Sequence, residues 1–403
     1  MSCGWFVLTL SVVMCAAQPD ERSKEYAKRY YDNRSVIVVE REGDIVDRLP
    51  CERIPLDYPE LKGRAEGHAA IDSKGNIYAA VGYNVGGKGA ERFFRSQDQG
   101  RTWTSHILTP TDKNRYLAAF TLLHNDTLLM VLNGKCEEVE VWSSHDRGES
   151  WQRVTTLSAA PLKCIGEGTM SLTQLADGRL LFPVGRYVHP EKGLVLDKLL
   201  LWHSLYVSTD GGNTFPVAYS TFPDSCESHI LELHSGRLLG TFRYQRMRRP
   251  EETDDEIRAL GGYLGGPRHP KEKRTFKNIF LGDSDDGGVT WKNFRPVRDR
   301  DGQPLVRFGQ VYGRLIQVPD GRVVLVHDNR QPGEQREVLA RISRDSGQTW
   351  GREVYHLSLG RGYPSSVVLR DGTIVTVTGN TPSNSRSMAI ARWRAQVVRW
   401  RLP

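Results

Sequence analysis

The chain has 403 residues, of which 38% are hydrophobic and 39 are glycine. This length fits one large all-β domain or two to three smaller domains. It also allows a core that needs no metal or dense disulfides for stability. The formal net charge of +7 is modest, and basic residues gather at 245–250 and 392–401. No nucleic-acid-binding module surrounds them, so we expect no nucleic-acid partner. A solvated face or a basic cleft for an acidic substrate explains these clusters.

The chain begins with the features of an exported protein. Residues 5–17, WFVLTLSVVMCAA, are an uncharged apolar run of signal-peptide length, and the run is too short for a membrane span. We therefore interpret 1–17 as a signal peptide and expect a secreted or periplasmic protein. A partly buried N-terminal strand is the alternative interpretation. Residues 18–50 form an N-terminal extension, which we expect to add a strand or clasp to the domain at 51–403.

Four cysteines remain after residue 17, and an exported protein would permit disulfides among them. The sequence does not choose among the three possible pairings, and buried thiols are the alternative. Neither these cysteines nor the 11 histidines show metal-ligand spacing, and no cofactor motif is evident. We therefore expect no metal and no cofactor. The four cysteines are Cys51, Cys136, Cys164 and Cys226.

Six segments share one pattern, in which an apolar residue precedes a short turn with Asp or Gly and an apolar strand follows. Each segment is typical of a β-hairpin. Their first residues lie 51–58 residues apart, except for one interval of 85 residues that contains a charged, glycine-rich insertion at about 244–275. The segments are 71–80 (IDSKGNIYAA), 123–132 (LHNDTLLMVL), 175–184 (LADGRLLFPV), 233–242 (LHSGRLLGTF), 318–327 (VPDGRVVLVH) and 369–378 (LRDGTIVTVT).

A second pattern, Ser-x-Asp-x-Gly-x-Thr/Ser-aromatic, alternates with the hairpins and occurs five times. Its Asp can accept backbone N–H groups within the turn, and its Gly permits a tight backbone. Its aromatic residue can pack beneath the sheet. We therefore expect scaffold rather than chemistry from these turns. The copies begin at Ser96, Ser144, Ser208, Ser284 and Ser343.

A repeat of about 50 residues with four short strands is typical of a propeller blade. The two alternating patterns therefore predict an all-β fold, namely one six-bladed β-propeller of four-stranded antiparallel blades within 51–403. The mouth of its central channel is where a propeller binds its ligand, so candidate site residues are those that the blades bring to this mouth.

The alternation of DGRLL hairpins with Ser-x-Asp turns resembles the sialidase (neuraminidase) superfamily of Asp-box, or BNR-repeat, propellers over roughly residues 60–395. Such turns also occur in propeller lyases, other hydrolases and receptors, so function must be argued at the site. The resemblance implies an exo-glycosidase that acts on a sugar with a carboxylate. It also implies a Tyr nucleophile, a Glu that activates it, an Asp acid/base and three arginines that bind the carboxylate.

Two segments match the family pattern well. In CESHILELHSGRLLGTFRY (226–244), Glu227 falls at the activating Glu and Arg243 at a carboxylate-binding Arg. In GYPSSVVLRDGTIVTV (362–377), Tyr363 falls at the nucleophile. Tyr363 and Glu227 each lie six residues before the first residue of their hairpin, so we expect both at the mouth. The structural alternatives are a surface carboxylate for Glu227, an ordinary ion pair for Arg243 and a packed aromatic ring for Tyr363.

The other family residues are matched less closely. Arg330 and Arg336 both precede the fifth Ser-x-Asp turn, where the family has an Arg, and the resemblance does not choose between them. Arg53 lies in an Arg-Ile-Pro sequence like that of the family, but farther from the first hairpin. The loop that should hold the acid/base Asp has Glu91 as its only acid. Either Glu91 or His68 is therefore the expected stand-in.

We thus expect a secreted sialidase-like exo-glycoside hydrolase with an acidic glycan or glycoconjugate as its substrate and a Tyr/Glu retaining mechanism. A non-catalytic glycan-binding propeller is the first alternative, because binding needs no acid. A propeller polysaccharide lyase is the second, because Tyr363 and His68 could form its Tyr/His pair. The sequence does not indicate the glycone, the linkage or the oligomeric state.

Overall fold

The computed structural model describes residues 21–56, 66–82, 91–108, 115–133, 138–158, 171–187, 201–265, 274–331, 334–360, 362–379 and 395–403. Strands dominate this part of the chain, and its two helices are α1 (Glu21–Tyr31) and α2 (Asp254–Ala259). Neither helix has the length and apolar character that a membrane crossing requires. The predicted signal peptide, residues 1–17, lies outside the described residues.

Four of the sheets are separate four-stranded antiparallel blades, which confirms the predicted all-β propeller class. In each blade the strands lie side by side in chain order, so that hairpins connect neighbours. The first blade contains β3 (Glu66–Ile71), β4 (Ile77–Gly82), β5 (Arg92–Ser96) and β6 (Thr104–Ile107), and the second contains β7 (Tyr116–Leu122), β8 (Leu128–Asn133), β9 (Glu138–Ser144) and β10 (Gln152–Ser158). The third contains β11 (Thr173–Gln174), β12 (Leu180–Tyr187), β13 (Leu201–Ser208) and β14 (Val217–Ser220), and the fourth contains β15 (Ser225–Glu232), β16 (Leu238–Arg246), β17 (Phe276–Ser284) and β18 (Lys292–Pro296).

The remaining strands form one nine-stranded sheet, where the sequence repeat predicts two further separate blades. These strands are β1 (Val36–Arg41), β2 (Asp44–Pro55), β19 (Gln310–Gln317), β20 (Val323–Asn329), β21 (Glu337–Ser343), β22 (Val354–Leu359), β23 (Ser365–Val368), β24 (Ile374–Gly379) and β25 (Ala395–Trp400). Their order in the sheet is β19-β20-β21-β22-β1-β2-β25-β24-β23. The sheet is continuous because β1 pairs antiparallel with both β2 and β22.

The core lies between the faces of neighbouring blades. Ile77, Ala79 and Val81 of β4 share one face of their strand, because side chains alternate along a strand, and they pack with Val375 and Val377 of β24. Each edge strand that opens a hairpin is called an inner strand here, and these strands are β3, β7, β11, β15, β19 and β23. Strand β3 packs against β7 and β23, and β19 packs against β15 and β23. We call the end at which the inner strands begin the mouth.

The Ser-x-Asp turns share one set of hydrogen bonds. In the turn at Ser284, Asp286 Oδ1 accepts from Ser284 Oγ (2.8 Å) and from Thr290 N (2.9 Å), and Asp286 Oδ2 accepts from Thr290 Oγ1 (2.5 Å). The indole of Trp291 donates to the Gly288 carbonyl at 3.1 Å. These bonds satisfy the turn from within, so each turn stabilises its own hairpin. The equivalent acceptors are Asp98, Asp146, Asp210, Asp286 and Asp345.

Replacing the acceptor of one turn should cost stability. Asp286→Ala should lower the free energy of unfolding by about 1–2 kcal/mol, because Thr290 N and the Ser284 hydroxyl lose their acceptor. The neighbouring Asp285→Ala is the matched control, because Asp285 is exposed and only pairs with Lys292 on the surface. Urea unfolding measures both variants, and equal losses would contradict the assigned turn structure.

The described part of the predicted insertion packs on the fourth blade. Helix α2 begins with a capping box, in which the Thr253 hydroxyl accepts from Glu256 N and the Glu256 carboxylate accepts from Thr253 N. Ile257 of α2 is buried and packs with Phe276 of β17. The insertion is therefore anchored to the blade by a small apolar contact of its own.

Helix α1 docks on the nine-stranded sheet through three tyrosines. Tyr26 Oη and Tyr31 Oη donate to the two carboxylate oxygens of Glu337 at 2.8 and 2.6 Å. The Nδ1 atom of His356 lies 3.0 Å from the same carboxylate. The ring of Tyr30 stacks on His356 with 4.2 Å between the ring centroids. The buried carboxylate of Glu337 thereby ties the N-terminal segment to β21 and β22.

This cluster predicts a loss of stability at alkaline pH. Burial opposes the charge on His356, but Glu337 and Glu40 outweigh it and raise the pKa of the imidazole from 6.5 to about 9. Because the folded-state pKa is the higher one, this contribution is complete below about pH 6.5 and is lost as the pH rises through about 9. His356→Gln should therefore flatten the alkaline decline of the unfolding free energy measured in urea. The exposed His124→Gln should leave the decline unchanged, and an unchanged decline in His356→Gln would contradict this account.

Two of the four cysteines that could form disulfides, Cys51 and Cys226, lie in the described residues. Cys51 and Cys226 are not joined to each other. Cys226 is buried in β15, where its thiol lies 3.8 Å from the Arg243 carbonyl oxygen. Cys51 lies in β2, opposite Trp400 of β25. Cys136 and Cys164 lie outside the described residues.

Candidate functional site

The pairing of each inner strand with the next strand of its sheet shows which residues occupy equivalent positions. Ile71, Glu232, Gln317 and Val368 are equivalent, because each pairs with the first residue of the strand that follows. The residues five positions earlier in the chain lie at the mouth end of these strands, and bulges in β7, β15 and β19 shift the pairing there. We call this set the mouth ring, and its described members are Glu66, Leu117, Glu227, Tyr312 and Tyr363.

Backbone irregularity occurs at three polar members of the mouth ring, Glu227, Tyr312 and Tyr363, and also beside Leu117. The pairing register shifts at Glu227 in β15 and around Tyr312 in β19, and such bulges re-aim side chains beside active sites. Tyr312 and Tyr363 have φ angles of 61° and 42°. This left-handed conformation costs a residue with a Cβ about 1–2 kcal/mol. Retained strain of this kind clusters at functional sites.

Glu227 and Arg243 form an ion pair at the mouth. Arg243 Nη1 lies 2.6 Å from Glu227 Oε2, and the two side chains are only 12% and 9% exposed. Arg243 Nη2 also donates to Gln245 Oε1 at 2.6 Å. Cys226 is the residue that pairs with Arg243 across β15 and β16, so the two predicted site residues meet as neighbours on one hairpin. The ion pair fixes the orientation of the Glu227 carboxylate.

Tyr363 is buried between a cation and a second aromatic ring. The guanidinium carbon of Arg330 lies 4.2 Å from the Tyr363 ring centroid, and the Tyr312 ring packs edge-on at 4.2 Å between centroids. Asp328, which is fully buried, holds this arrangement together. Its Oδ1 accepts from Tyr363 N at 3.1 Å, and its Oδ2 accepts from Arg330 Nε at 3.0 Å. A cation over the ring favours negative charge on the phenol.

Tyr312 is a candidate that the sequence analysis missed. Burial raises its pKa above the ordinary value, the charge of Arg314 opposes this, and the carboxylates of Glu66 and Glu227 add to the rise. Tyr312 therefore packs on Tyr363 and lies within the electrostatic reach of both glutamates of the mouth ring. A signal for it was present, because Tyr312 lies six residues before Val318, the first residue of its hairpin. Tyr363 and Glu227 stand at the same offset in their own hairpins.

Glu91 lies close to Glu66, the second residue that the sequence analysis missed. Both oxygens of Glu91 accept from the backbone N–H of Leu117, at 2.9 and 3.1 Å. Burial raises the pKa of Glu91 well above its ordinary value, and the charge of Glu66 raises it further, although the Leu117 N–H opposes this. A raised pKa favours the protonated carboxyl, which is the form that a general acid needs.

His68 lies two residues beyond Glu66 on β3 and is 2% exposed. Burial and the positive charge of Arg314 lower the pKa of His68 to about 3. Its imidazole is therefore neutral and only weakly basic at neutral pH, which suits it poorly to proton transfer. This finding weakens the case for a lyase, which would require His68 to transfer protons together with Tyr363.

The two remaining arginines lie in different places. Arg336 is half-buried, and burial lowers its pKa while the charge of Asp328 raises it, so Arg336 belongs to the surroundings of the mouth. Arg53 lies in β2 and donates to the carbonyls of Arg34 (3.1 Å) and Leu357 (2.9 Å). These bonds hold β2 against neighbouring strands, so the structure does not bring Arg53 to the mouth ring. Its Arg-Ile-Pro sequence resembles the family motif, but its position in β2 is not that of an arginine at the mouth.

A groove of about 830 Å³ lies beside the fifth Ser-x-Asp turn, away from the mouth ring. Arg352 lines it, and its guanidinium donates to Asp299 (2.8 Å), Asp301 (2.7 Å) and Glu42 (3.0 Å). The charges of this groove are thus paired with one another. We therefore regard it as a structural ion network.

No protein-family model and no curated protein matches this chain. Solved structures do match it. A protein of unknown function from Dyadobacter fermentans is 17% identical with a TM-score of 0.61, over 90% of this chain and 99% of that one. A Hadza microbial sialidase is 14% identical with a TM-score of 0.59, over 89% and 70% of the two chains. An α-L-arabinofuranosidase from Fusarium graminearum is 13% identical with a TM-score of 0.58, over 87% and 97%.

These likenesses concern the fold. At identities of 13–17% they establish a propeller of the kind found in sialidases and arabinofuranosidases, and they leave substrate and mechanism to be argued from residues.

Asp328 is predicted to be the residue that holds Tyr363 and Arg330 in place. Asp328→Asn should lower the free energy of unfolding by about 1.5–3 kcal/mol, because a buried carboxylate with several hydrogen bonds is lost and Arg330 loses this counter-charge. Asp371→Asn is the control, since Asp371 is a surface residue that pairs with Arg401. Urea unfolding should separate the two variants. A loss in Asp328→Asn no larger than in the control would rule out this role.

Proposed function

We propose that the mouth ring is the active site of an exo-acting glycoside hydrolase that releases an acidic sugar, such as a sialic acid, from a glycan. The observation that carries this proposal is the convergence of tyrosines, glutamates and arginines at one end of the propeller. The groups are Tyr312, Tyr363, Glu66, Glu227, Arg243 and Arg330. Secretion through a signal peptide at 1–17 remains part of the proposal.

The proposal includes a ring of six blades. Within the nine-stranded sheet, β19 to β22 would form one blade, and β23, β24, β25 and β2 would form the last. The N-terminal β2 would then close the ring by supplying the outer strand of the last blade. The packing of β23 against both β19 and β3 supports this arrangement.

Tyr363 is the proposed nucleophile. Its Oη attacks the anomeric carbon, the bond from that carbon to the leaving-group oxygen breaks, and Glu227 takes the phenol proton. Water then displaces the tyrosine from the glycosyl–enzyme intermediate, which gives retention of configuration. Arg330, over the Tyr363 ring, stabilises the negative charge that develops on the phenol. Tyr312, on the strand between those of Glu227 and Tyr363, positions both groups.

The Glu66–Glu91 pair is the proposed source of the leaving-group proton. The two carboxylates lie close enough for the charge of Glu66 to raise the pKa of Glu91, which favours a shared proton on the pair. Glu66 belongs to the mouth ring and would face the substrate, with Glu91 behind it. The pair would thus replace the Asp that the family resemblance leads one to expect.

The preference for an acidic sugar is assigned to Arg243, Arg330 and Arg336. Arginine binds carboxylates well because its planar group can donate two parallel hydrogen bonds. Arg243 and Arg330 already hold Glu227 and Asp328, so a substrate carboxylate would join existing ion pairs. A neutral phenol is also the right nucleophile for such a sugar, because an ionised carboxylate would repel it.

The catalytic assignment is tested with an umbelliferyl α-sialoside, an umbelliferyl glucuronide and an umbelliferyl α-L-arabinofuranoside. We expect the wild type to release the fluorophore from an acidic sugar only. Tyr363→Phe and Glu227→Gln should each lower kcat by about 10²–10⁴-fold, because the nucleophile or its general base is lost. Tyr312→Phe should lose less, because Tyr312 only positions the other groups.

The controls separate this proposal from its alternatives. Tyr78→Phe removes a phenol that lies outside the mouth and bonds to Asp72, so it should retain wild-type kcat. A folded wild type that binds an acidic glycan without turnover would favour the non-catalytic glycan-binding propeller. Release of an unsaturated sugar product would favour the lyase. Full activity in Tyr363→Phe would refute the assigned nucleophile.

A further inference from the structure

A second set of equivalent residues lies one step deeper in the channel. These residues follow those of the mouth ring by two positions, so they occupy the next level of the inner strands. We call this set the second ring. Five members, His68, Ala119, His229, Arg314 and Ser365, each pair with the fourth residue of the next strand. The sixth is Ser171, which stands three residues before Gln174, the partner of the first residue of β12. Its only permanently charged member is Arg314.

Arg314 is a buried cation that lacks a carboxylate partner in the described part of the chain. It is 7% exposed, and no carboxylate oxygen among the described residues lies within 4.0 Å of its guanidinium nitrogens. By contrast, Arg243 and Arg330 at the mouth each hold a carboxylate. Burying an unpaired charge is costly, so the surroundings of Arg314 favour the arrival of a negative charge.

Several other polar atoms of the second ring lack a hydrogen-bond partner in the described ranges. These atoms are His68 Nδ1 and Nε2, Ser171 Oγ and Arg314 Nε. His68 and Ser171 are each 2% exposed. His229 Nδ1 accepts from Leu315 N at 3.2 Å, so its Nε2 carries the hydrogen and is a donor. The second ring therefore offers N–H and O–H donors at the same level of the channel as the Arg314 guanidinium.

We propose that the second ring binds a small monovalent anion, a halide or a small carboxylate, with Arg314 as its principal ligand and His68, Ser171 and His229 as hydrogen-bond donors. This site is distinct from the proposed catalytic site, because it uses none of the mouth-ring residues. A cation is excluded by the charge of Arg314. The bound anion would neutralise Arg314 beneath Tyr312, whose ring centroid lies 5.6 Å from the guanidinium carbon.

The charge of Arg314 acts on both histidines of the second ring. Burial lowers the pKa of both His68 and His229, and the charge of Arg314 lowers it further in each case. Both imidazoles therefore respond to the same guanidinium, although they come from β3 and β15. An anion between them would offset the charge of Arg314 and accept from both imidazoles.

The test measures the unfolding temperature of the full chain while sodium gluconate is replaced by sodium chloride at constant ionic strength. Sodium acetate replaces gluconate in a second arm. We expect a saturable rise of a few degrees in at least one arm, because a ligand that binds only the folded state stabilises it. A response to chloride alone identifies a halide site, and a response to acetate identifies a carboxylate site. No response in either arm would overturn the proposal.

Two variants assign the effect to the second ring. Arg314→Gln should abolish the response to the anion. Arg341→Gln is the matched control, because Arg341 is also a buried arginine but lies in β21, where it donates to the Arg352 carbonyl. This control should keep the response even if it lowers the unfolding temperature. A response retained in Arg314→Gln would overturn the proposal.

A third variant keeps the test decisive if Arg314→Gln does not fold. Ser171→Ala removes one hydroxyl donor from the second ring and should raise the anion concentration at half-maximal response about threefold or more. Line broadening of the chloride NMR signal by the wild type provides a direct measure of binding. An unshifted response in Ser171→Ala, together with no line broadening by the wild type, would contradict the site.

Discussion

The packing of the inner strands side by side is the constraint on which the rest of the molecule depends. Apolar faces between blades, such as β4 against β24, hold the sheets in place and so fix where each inner strand begins. Residues at equal register positions then meet at one end of the channel, however far apart they lie in sequence. Glu66 and Tyr363 are neighbours for this reason, through a hydrogen bond from Gly67 N to the Tyr363 carbonyl.

The packing of the inner strands also places the charged side chains at two levels of the channel, the mouth ring and the second ring. At the mouth, arginines are held by carboxylates, as in the pairs Arg243–Glu227 and Arg330–Asp328. One step deeper, Arg314 has donors around it rather than a carboxylate. The molecule therefore combines a mouth where charges balance and a channel level with an excess of positive charge. This difference separates the proposed chemistry at the mouth from the proposed anion site below it.

The repeat made the propeller class and the hairpins predictable, because turn chemistry and apolar alternation are local properties of the sequence. The merging of two expected blades into one sheet was not predictable, since it depends on β1 pairing with both β2 and β22. Glu227 and Arg243 could be found because they share a hairpin. Tyr312 was missed although it shares the offset of six residues with Tyr363 and Glu227. Glu66 was missed because it lies five residues before its hairpin, and only the strand pairing shows that it is at the mouth. Arg53 is the opposite case, because its Arg-Ile-Pro motif matches the family pattern but its strand, β2, does not bring it to the mouth ring.

The most direct test of the catalytic account is to trap the intermediate. The full chain is incubated with a glycosyl fluoride of the acidic sugar that it cleaves, with a second fluorine on the carbon next to the anomeric carbon, then digested with trypsin and examined by mass spectrometry. The account predicts one glycosyl adduct on the peptide 362–370, which contains Tyr363. An adduct on the peptide 308–314, which contains Tyr312, or on a peptide that contains Glu66 or Glu227, would contradict it.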